Sequence, residues 1–178
     1  MKREIYKSKS GIHGYGLFAK KAFSPREIVY QPSGKIIHAK EINWNSLRKR
    51  GYDGFLQVGS WKYLDGRKDP LFRFLNHSCS PNVGFKMLEG KVSFVALSPI
   101  PEKTELTFDY STTMFEELDQ EPMPCRCGSK NCRKVIADFR FLPKSIQNKY
   151  IKLGVVPSYV LEKPSQKTSM LKKKSFAK

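Results

Sequence analysis

No stretch of this 178-residue chain approaches the roughly 18 uncharged apolar residues that a membrane helix needs, so no transmembrane helix is expected. Met1-Lys2-Arg3-Glu4-Ile5-Tyr6-Lys7 carries charge with no apolar run behind it, so no secretory leader is expected either. Internal repeats and glycine-serine linkers are missing, which fits one domain with at most an appendage. Cysteine is scarce, with four residues. In the reducing intracellular compartment expected for an unexported chain, a few clustered cysteines bind metal more often than they form disulfides. Acidic residues are also in deficit: 16 Asp and Glu face 33 Lys and Arg, a formal charge of +17.

That excess is uneven. Twelve basic and two acidic residues lie between Arg133 and Lys178, ending in a tail that contains Lys172-Lys173-Lys174. Further acids bunch at Glu116, Glu117, Asp119 and Glu121. A field of this sign attracts polyanions. A solvated basic surface and a contact with nucleic acid both account for it. A partnership with a membrane is not expected.

The hydrophobic content of 39% is enough for a globular core. Glu27-Ile28-Val29-Tyr30 and Lys35-Ile36-Ile37-His38 read as short strands around a Pro32-Ser33-Gly34 turn. Residues 55–58, 61–64, 91–97 and 105–108 read as further strands, and 91–97 is the strongest of them. A short helix is expected over 41–50, closed by Gly51, and another from Pro143 to just before Gly154, with Ile146, Tyr150 and Leu153 on one side. From Pro157 onward Ser, Pro and Lys dominate and little order is expected. Many short strands with few helices predict a mainly β fold with short helices.

Cys125-Arg126-Cys127-Gly128-Ser129-Lys130-Asn131-Cys132 offers three thiolates from eight residues. Cys-x-Cys neighbours are too close to pair comfortably with each other, whereas three sulfurs in one loop suit a tetrahedral zinc that wants four ligands. Cys79 is the only other cysteine, so a Zn(Cys)₄ site requires residue 79 to meet residues 125–132 in space. The alternative is a set of unrelated free thiols.

The densest polar block is Arg73-Phe74-Leu75-Asn76-His77-Ser78-Cys79-Ser80-Pro81-Asn82. Its donors and acceptors suit a non-repeating backbone. His77 in isolation reads as a structural residue more readily than as a base. Ser10-Gly11-Ile12-His13-Gly14-Tyr15-Gly16-Leu17-Phe18-Ala19 precedes it, and Glu105-Leu106-Thr107-Phe108-Asp109-Tyr110 follows. Taken alone, the glycines read as turns and Leu106, Phe108 and Tyr110 as core.

The order of these blocks along one chain resembles the SET-domain protein lysine methyltransferases, over about residues 8–136. Residues 10–19 are similar to the family's first motif, Asn76-His77-Ser78-Cys79-Ser80-Pro81-Asn82 to its Asn-His-Ser-Cys-x-Pro-Asn signature, and residues 105–110 to its last motif. Cys125–Cys132 resembles the post-SET zinc loop, whose fourth ligand in the family is the cysteine of the signature, here Cys79. The resemblance implies small curved β-sheets around a pseudo-knot, followed by a post-SET zinc loop and a helix. Residues 1–120 would be the SET domain, 121–136 the zinc loop, and 137–178 a basic extension, helical at first.

The resemblance further implies a protein-lysine N-methyltransferase that uses S-adenosylmethionine and releases S-adenosylhomocysteine. Backbone around Tyr15, Gly16 and Leu17, the side chain of Tyr52, and Asn76, His77 and Arg73 would hold the cofactor; Tyr110 would stand at the reacting centre beside Phe108 and His77. Phe108 fills a position that the family gives to Phe or Tyr, and Phe implies di- or trimethyl-lysine as product. Pro32 stands where many relatives carry a tyrosine of the lysine channel, so either Tyr30 takes over that wall or the wall is remodelled. The implied partner is a basic protein, a histone or histone-like chromosomal protein, docked in part by the acids at 116–121. Two alternatives stay open: a basic nucleic-acid-binding protein that keeps the scaffold without catalysis, and a methyltransferase for a non-chromosomal protein.

Overall fold

The computed structural model describes residues 4–44, 54–115 and 122–162. In chain order its strands begin with β1 (Ile5–Lys9), β2 (Tyr15–Ala19), β3 (Ile28–Tyr30), β4 (Lys35–His38), β5 (Phe55–Gly59) and β6 (Lys62–Asp65). There follow β7 (Asn76–His77), β8 (Val83–Leu88), β9 (Lys91–Ala96), β10 (Glu105–Phe108), β11 (Met123–Pro124) and β12 (Val135–Ile136). Two helices close the described chain, α1 (Lys144–Lys152) and the single turn α2 (Ser158–Leu161). The expectation of a mainly β molecule with short helices holds. No described helix is long and apolar enough to cross a membrane.

One sheet has the order β1-β2-β10-β7. In the β1–β2 hairpin Ile5 lies opposite Ala19 and Lys7 opposite Leu17; Ile5, Leu17 and Ala19 are buried, as strand alternation requires of one face. β10 runs antiparallel to β2 and parallel to β7, with Thr107 opposite Asn76 and Phe108 opposite His77. Three blocks far apart in sequence thus become neighbouring strands. Residues 78–82 then wrap the same strand. Ser78 N donates to Phe108 O (3.1 Å) and Asn82 N to Thr107 O (3.2 Å), while the Asn82 side chain accepts from Thr107 N (2.9 Å) and donates to Glu105 O (2.7 Å).

The second sheet is β3-β9-β8 and the third β4-β6-β5, so the two strands flanking Pro32-Ser33-Gly34 enter different sheets. β8 and β9 are joined through Glu89 (φ 48°) and Gly90 (φ 72°), the left-handed pair that a tight hairpin turn requires. The β9 residue Phe94 is fully enclosed. Its ring lies 5.0 Å from Phe108, 6.3 Å from Tyr30, 6.4 Å from Phe72 and 6.5 Å from Phe85, centroid to centroid. Phe94 therefore ties the core to the last strand of the first sheet. Ala39–Glu41 forms a 3-10 turn closed by a His38/Glu41 capping box; most of the helix expected over 41–50 lies outside the described residues.

The chain after Val135–Ile136 is built into the body. α1 begins after Pro143 and buries Gln147 and Tyr150, with Ile146 half-buried; Leu153, expected on the same side, is the C-cap residue and is exposed. Order also continues past Pro157, against the expectation from composition. Tyr159 and Val160 of α2 are buried, and the Tyr159 hydroxyl is shared between Gln57 O (2.9 Å) and Thr113 O (2.7 Å). Gly84 has a close neighbour in the same segment: a Cβ there would lie 2.5 Å from Val155 Cγ1. A buried tyrosine and a buried valine outweigh the polar composition around them.

Candidate functional site

The first half of the site is a clasp around β10. Asn76 Nδ2 lies within reach of four acceptors: Glu105 Oε1 (2.9 Å), Tyr15 O (3.1 Å), Ser10 Oγ (3.2 Å) and His13 O (3.3 Å). Ser10 Oγ in turn donates to Glu105 Oε1 (2.7 Å), and accepts from Ile12 N and His13 N. Glu105 lies directly over Gly16, where any Cβ would come within 2.2 Å of its carboxylate oxygen. The expected cofactor residues Tyr15, Gly16, Leu17, Asn76 and His77 are thus brought together. Their division of labour is more specific than the sequence indicated. The Asn76 amide holds the first motif in place, and Leu17 is fully buried, leaving only its backbone for a ligand.

The rim of this clasp is aromatic and cationic. The rings of Tyr15 and Phe74 meet edge to face at 6.1 Å, Lys7 Nζ stands 4.1 Å and 4.2 Å over them, and the Arg73 guanidinium lies 5.4 Å from Phe74. Electron-rich ring faces that accept one cation suit a sulfonium equally, and an exposed guanidinium suits a carboxylate. The residues present therefore fit S-adenosylmethionine. Tyr52 lies outside the described residues, as do the acids at 116, 117, 119 and 121.

Tyr110 opens a 3-10 turn, Tyr110–Thr112, two residues past the end of β10. Its hydroxyl donates to Leu75 O (2.8 Å), its amide donates to His77 Nδ1 (3.2 Å), and its ring lies 4.8 Å from Phe108 and 5.2 Å from His77. Burial pushes the His77 ring down to about 4, against the pull of the Asp109 carboxylate and with help from Arg133. The ring is therefore neutral near pH 7. Because Nδ1 accepts the Tyr110 amide, the proton sits on Nε2, which points at Cys79 Sγ (3.4 Å). Asp109 Oδ1 is 3.6 Å from Nδ1, but a neutral ring makes no ion pair with it.

Asp109 is the hub of the second half. Its enclosed carboxylate takes Arg133 Nη2 on Oδ1 and Nη1 on Oδ2, both at 2.8 Å; Ser111 N donates to Oδ1 (3.2 Å) and the Tyr150 hydroxyl to Oδ2 (2.9 Å). Burial foremost, and then the neighbouring carboxylate, push the Tyr150 phenol far up, so it remains a donor. Burial disfavours the Arg133 charge, but the Asp109 bonds outweigh it and raise its pKa. Arg133 follows directly on Cys132, and its own amide donates to Cys79 Sγ (3.4 Å). Asp109, Arg133, Tyr150, Glu105 and Ser10 were not foreseen as site residues. Asp109 and Glu105 stand inside a recognised motif, while Tyr150 carried only the signal of a helix's apolar side.

The four cysteines converge, as a zinc site with four thiolates requires. Cys79 Sγ is 3.7 Å and Cys132 Sγ 3.6 Å from Cys125 Sγ. Tetrahedral zinc–thiolate bonds of about 2.3 Å would separate the sulfurs by about 3.8 Å. Cys127 Sγ accepts from Cys79 N (3.5 Å) and contacts Ser129 Oγ (3.3 Å). Burial raises the Cys79 and Cys125 thiols; at Cys127 the bonds from Cys79 and Ser129 overcome burial and bring the thiol down to about 6. A divalent cation bound among them would offset the desolvation of the others. His77, Cys79, Cys125 and Cys127 also lie within 4.8 Å of one another, but with its proton on Nε2 the imidazole has no lone pair there for a metal. Cys132 is the better fourth ligand, and His77 is a donor to the sulfur of Cys79. The residues fit zinc.

Comparison with known proteins places the chain in a family. The family described as SET domain matches residues 14–111. Histone-lysine N-methyltransferase SETD1 of Drosophila melanogaster is 31% identical over 144 residues, 74% of this chain and 8% of its own length. Histone-lysine N-methyltransferase 2D of Homo sapiens is 32% identical over 142 residues, 75% of this chain and 2% of its own length. The H3 lysine-4 specific histone-lysine N-methyltransferase of Saccharomyces cerevisiae is 29% identical over 141 residues, 74% of this chain and 13% of its own length. The chain thus spans a small part of the length of these relatives.

Proposed function

This chain belongs to the SET-domain family, and from that membership we propose that it transfers a methyl group from S-adenosylmethionine to the ε-amine of a lysine in a basic protein. On this reading residues 1–120 form the SET domain, 121–136 the zinc loop and 137–178 the extension. Tyr15, Gly16, Leu17, Tyr52, Arg73, Asn76 and His77 hold the cofactor, and Cys79, Cys125, Cys127 and Cys132 hold zinc. When bound, S-adenosylmethionine supplies a methyl on a sulfonium, a leaving group that needs no acid.

The chain's own residues have two tasks. A lysine amine with a free pKa of about 10.4 must arrive uncharged, which a desolvated channel favours. The aromatic wall of Phe94, Phe108 and Tyr110 supports that role, since the first two rings are buried. The amine must also point along the transfer line, and alignment is where most of the acceleration in such a displacement arises. The observation that carries the reading is the Tyr110 hydroxyl: with its hydrogen committed to Leu75 O at 2.8 Å, its oxygen offers lone pairs to an amine N–H. Tyr110 orients the amine and is no obligate base.

Phe108 brings no hydroxyl, and so anchors no water, where successive methyls would need room. This supports di- or trimethyl-lysine as the product. A histone or histone-like protein is the substrate that the names of the relatives suggest. The net charge of +17 repels a free basic peptide, whereas a substrate carried on nucleic acid brings compensating phosphates. The basic C-terminal region also favours a second reading, a nucleic-acid-binding protein on a SET scaffold without catalysis. Incubation with labelled S-adenosylmethionine and cell extract separates the two. Transfer by the native protein, strongly reduced in Tyr110→Phe, is expected; no transfer by either overturns the enzymatic reading.

A further inference from the structure

We propose that the outward face of α1 is a phosphate-binding surface for double-stranded nucleic acid. The inference deepens the reading of a nucleic-acid-borne substrate by placing the contact. Helical periodicity fixes what the two sides of α1 present. Ile146, Gln147 and Tyr150 turn inward; Lys144, Ser145, Asn148, Lys149 and Lys152 fall on the exposed arc, and all are exposed. Three ammonium groups, a hydroxyl and an amide are donors of the kind that contact phosphate oxygens.

Two further cations flank the ends of the helix. Arg140 is joined to the start of α1 by the bond from Gln147 Nε2 to its carbonyl (3.1 Å), and Lys86 Nζ reaches the helix's end, 3.8 Å from where a Cβ of Gly154 would stand. The sequence contains no Asp or Glu from Phe139 to Leu161. Asp138 lies 3.6 Å from Arg140, just outside that interval. Lys144 in the first turn, with no acid beside it, stands at the positive end of the helix dipole, an arrangement that an approaching anion relieves.

Position adds to charge. The inner face of the same helix sends the Tyr150 hydroxyl to Asp109, the residue before Tyr110. The cationic arc and Asp109 therefore lie on opposite sides of one helix, which is about 10–12 Å across with its side chains. A duplex seated there would lie close to the substrate it carries.

The test measures binding of the full chain to a short fluorescent duplex by anisotropy across a salt series, without cofactor or peptide, so it reads independently of catalysis. Lys144→Gln/Lys149→Gln/Lys152→Gln is compared with the tail variant Lys172→Gln/Lys173→Gln/Lys174→Gln, with circular dichroism and zinc content checking the fold. The α1 variant is expected to bind roughly ten-fold more weakly at low salt, and the slope of log affinity against log salt to shrink by about 2.7, the value for three lost phosphate contacts. Methyl transfer to a free peptide should be unchanged in this variant. Unchanged affinity and slope in the α1 variant, whatever the tail variant does, overturn the proposal. So does a native protein that binds phosphatidylserine vesicles but not the duplex.

Discussion

Asp109 and Arg133 form an enclosed ion pair: Nη2 donates to Oδ1 at 2.8 Å and Nη1 lies 2.8 Å from Oδ2, on a carboxylate that has no exposed surface. One residue precedes Tyr110 and the other follows Cys132, so the pair joins the turn after β10 to the cysteine loop. Breaking a buried pair by removing one partner costs about 3–5 kcal/mol. Arg133→Met is expected to lose that much in urea denaturation, because Asp109 would stay buried and uncompensated. Asp109→Asn combined with Arg133→Met should lose less than the sum of the single variants. A double-mutant cycle closing with no coupling would show that the geometry is not energetically used.

Tyr150→Phe removes one hydroxyl from the same carboxylate and no volume from the core. Loss of a hydrogen bond to a charged group predicts a decrease of about 1.5–3 kcal/mol. The variant should also lower kcat more than the KM for cofactor while zinc stays bound, because Asp109 is the N-cap of the turn that begins at Tyr110. Equal fractional losses in kcat and in the folded population would indicate a purely structural role.

The raised Tyr150 pKa has a definite sign at alkaline pH. Native Tyr150 keeps its proton where an unfolded tyrosine, at an ordinary value near 10, gives it up. Its contribution to stability is full below about pH 10 and falls as pH rises beyond that, since the unfolded state then binds fewer protons. Urea midpoints between pH 9 and pH 11 should fall more steeply for the native protein than for Tyr150→Phe. Parallel curves would remove Tyr150 as the titrating group.

The cysteine cluster makes a choice that metal analysis can read. Cys132→Ser should lose stoichiometric zinc, whereas His77→Gln should retain it, because the imidazole Nε2 carries a hydrogen toward Cys79. Chelation of the native protein should lower its thermal midpoint and abolish transfer, as metal binding and folding are coupled in such loops. Retention of zinc by Cys132→Ser and its loss from His77→Gln would exchange the fourth ligand.

Phe108→Tyr places a hydroxyl where the native ring has a bare edge, beside Tyr110 at 4.8 Å between centroids. Mass spectrometry of the product under excess cofactor should shift from di- and trimethyl toward monomethyl-lysine. A native enzyme that itself stops at one methyl would refute the assignment of Phe108 as the residue that makes room.

What could be read from the chain was whatever is local or strongly patterned. Lys91–Ala96 is a short, largely apolar run, and it became the central strand β9, buried at five successive positions; a zinc site with four thiolates required residue 79 to approach residues 125–132. Pairing partners were not legible. Nothing in Asn76 announces four acceptors drawn from two distant segments, and nothing in Tyr150 announces a carboxylate 41 residues earlier. Composition misled at the C-terminus because Ser158, Pro157 and nearby lysines concealed two core residues, Tyr159 and Val160. β8 escaped notice because Gly84 interrupts its pattern, and that glycine is there to admit Val155.

The notch over Gly84 has a consequence for how the molecule comes into being. Its filler, Val155, leaves the ribosome long after the hairpin it plugs. A nascent chain that already holds every family motif therefore still has a hole in its core, and the tyrosine behind Asp109 also arrives late. Maturation of the segment around Asp109 and Tyr110 should thus be a terminal event of biosynthesis, and a tag or stop codon placed before residue 155 should yield a protein that carries all the motifs yet never ripens.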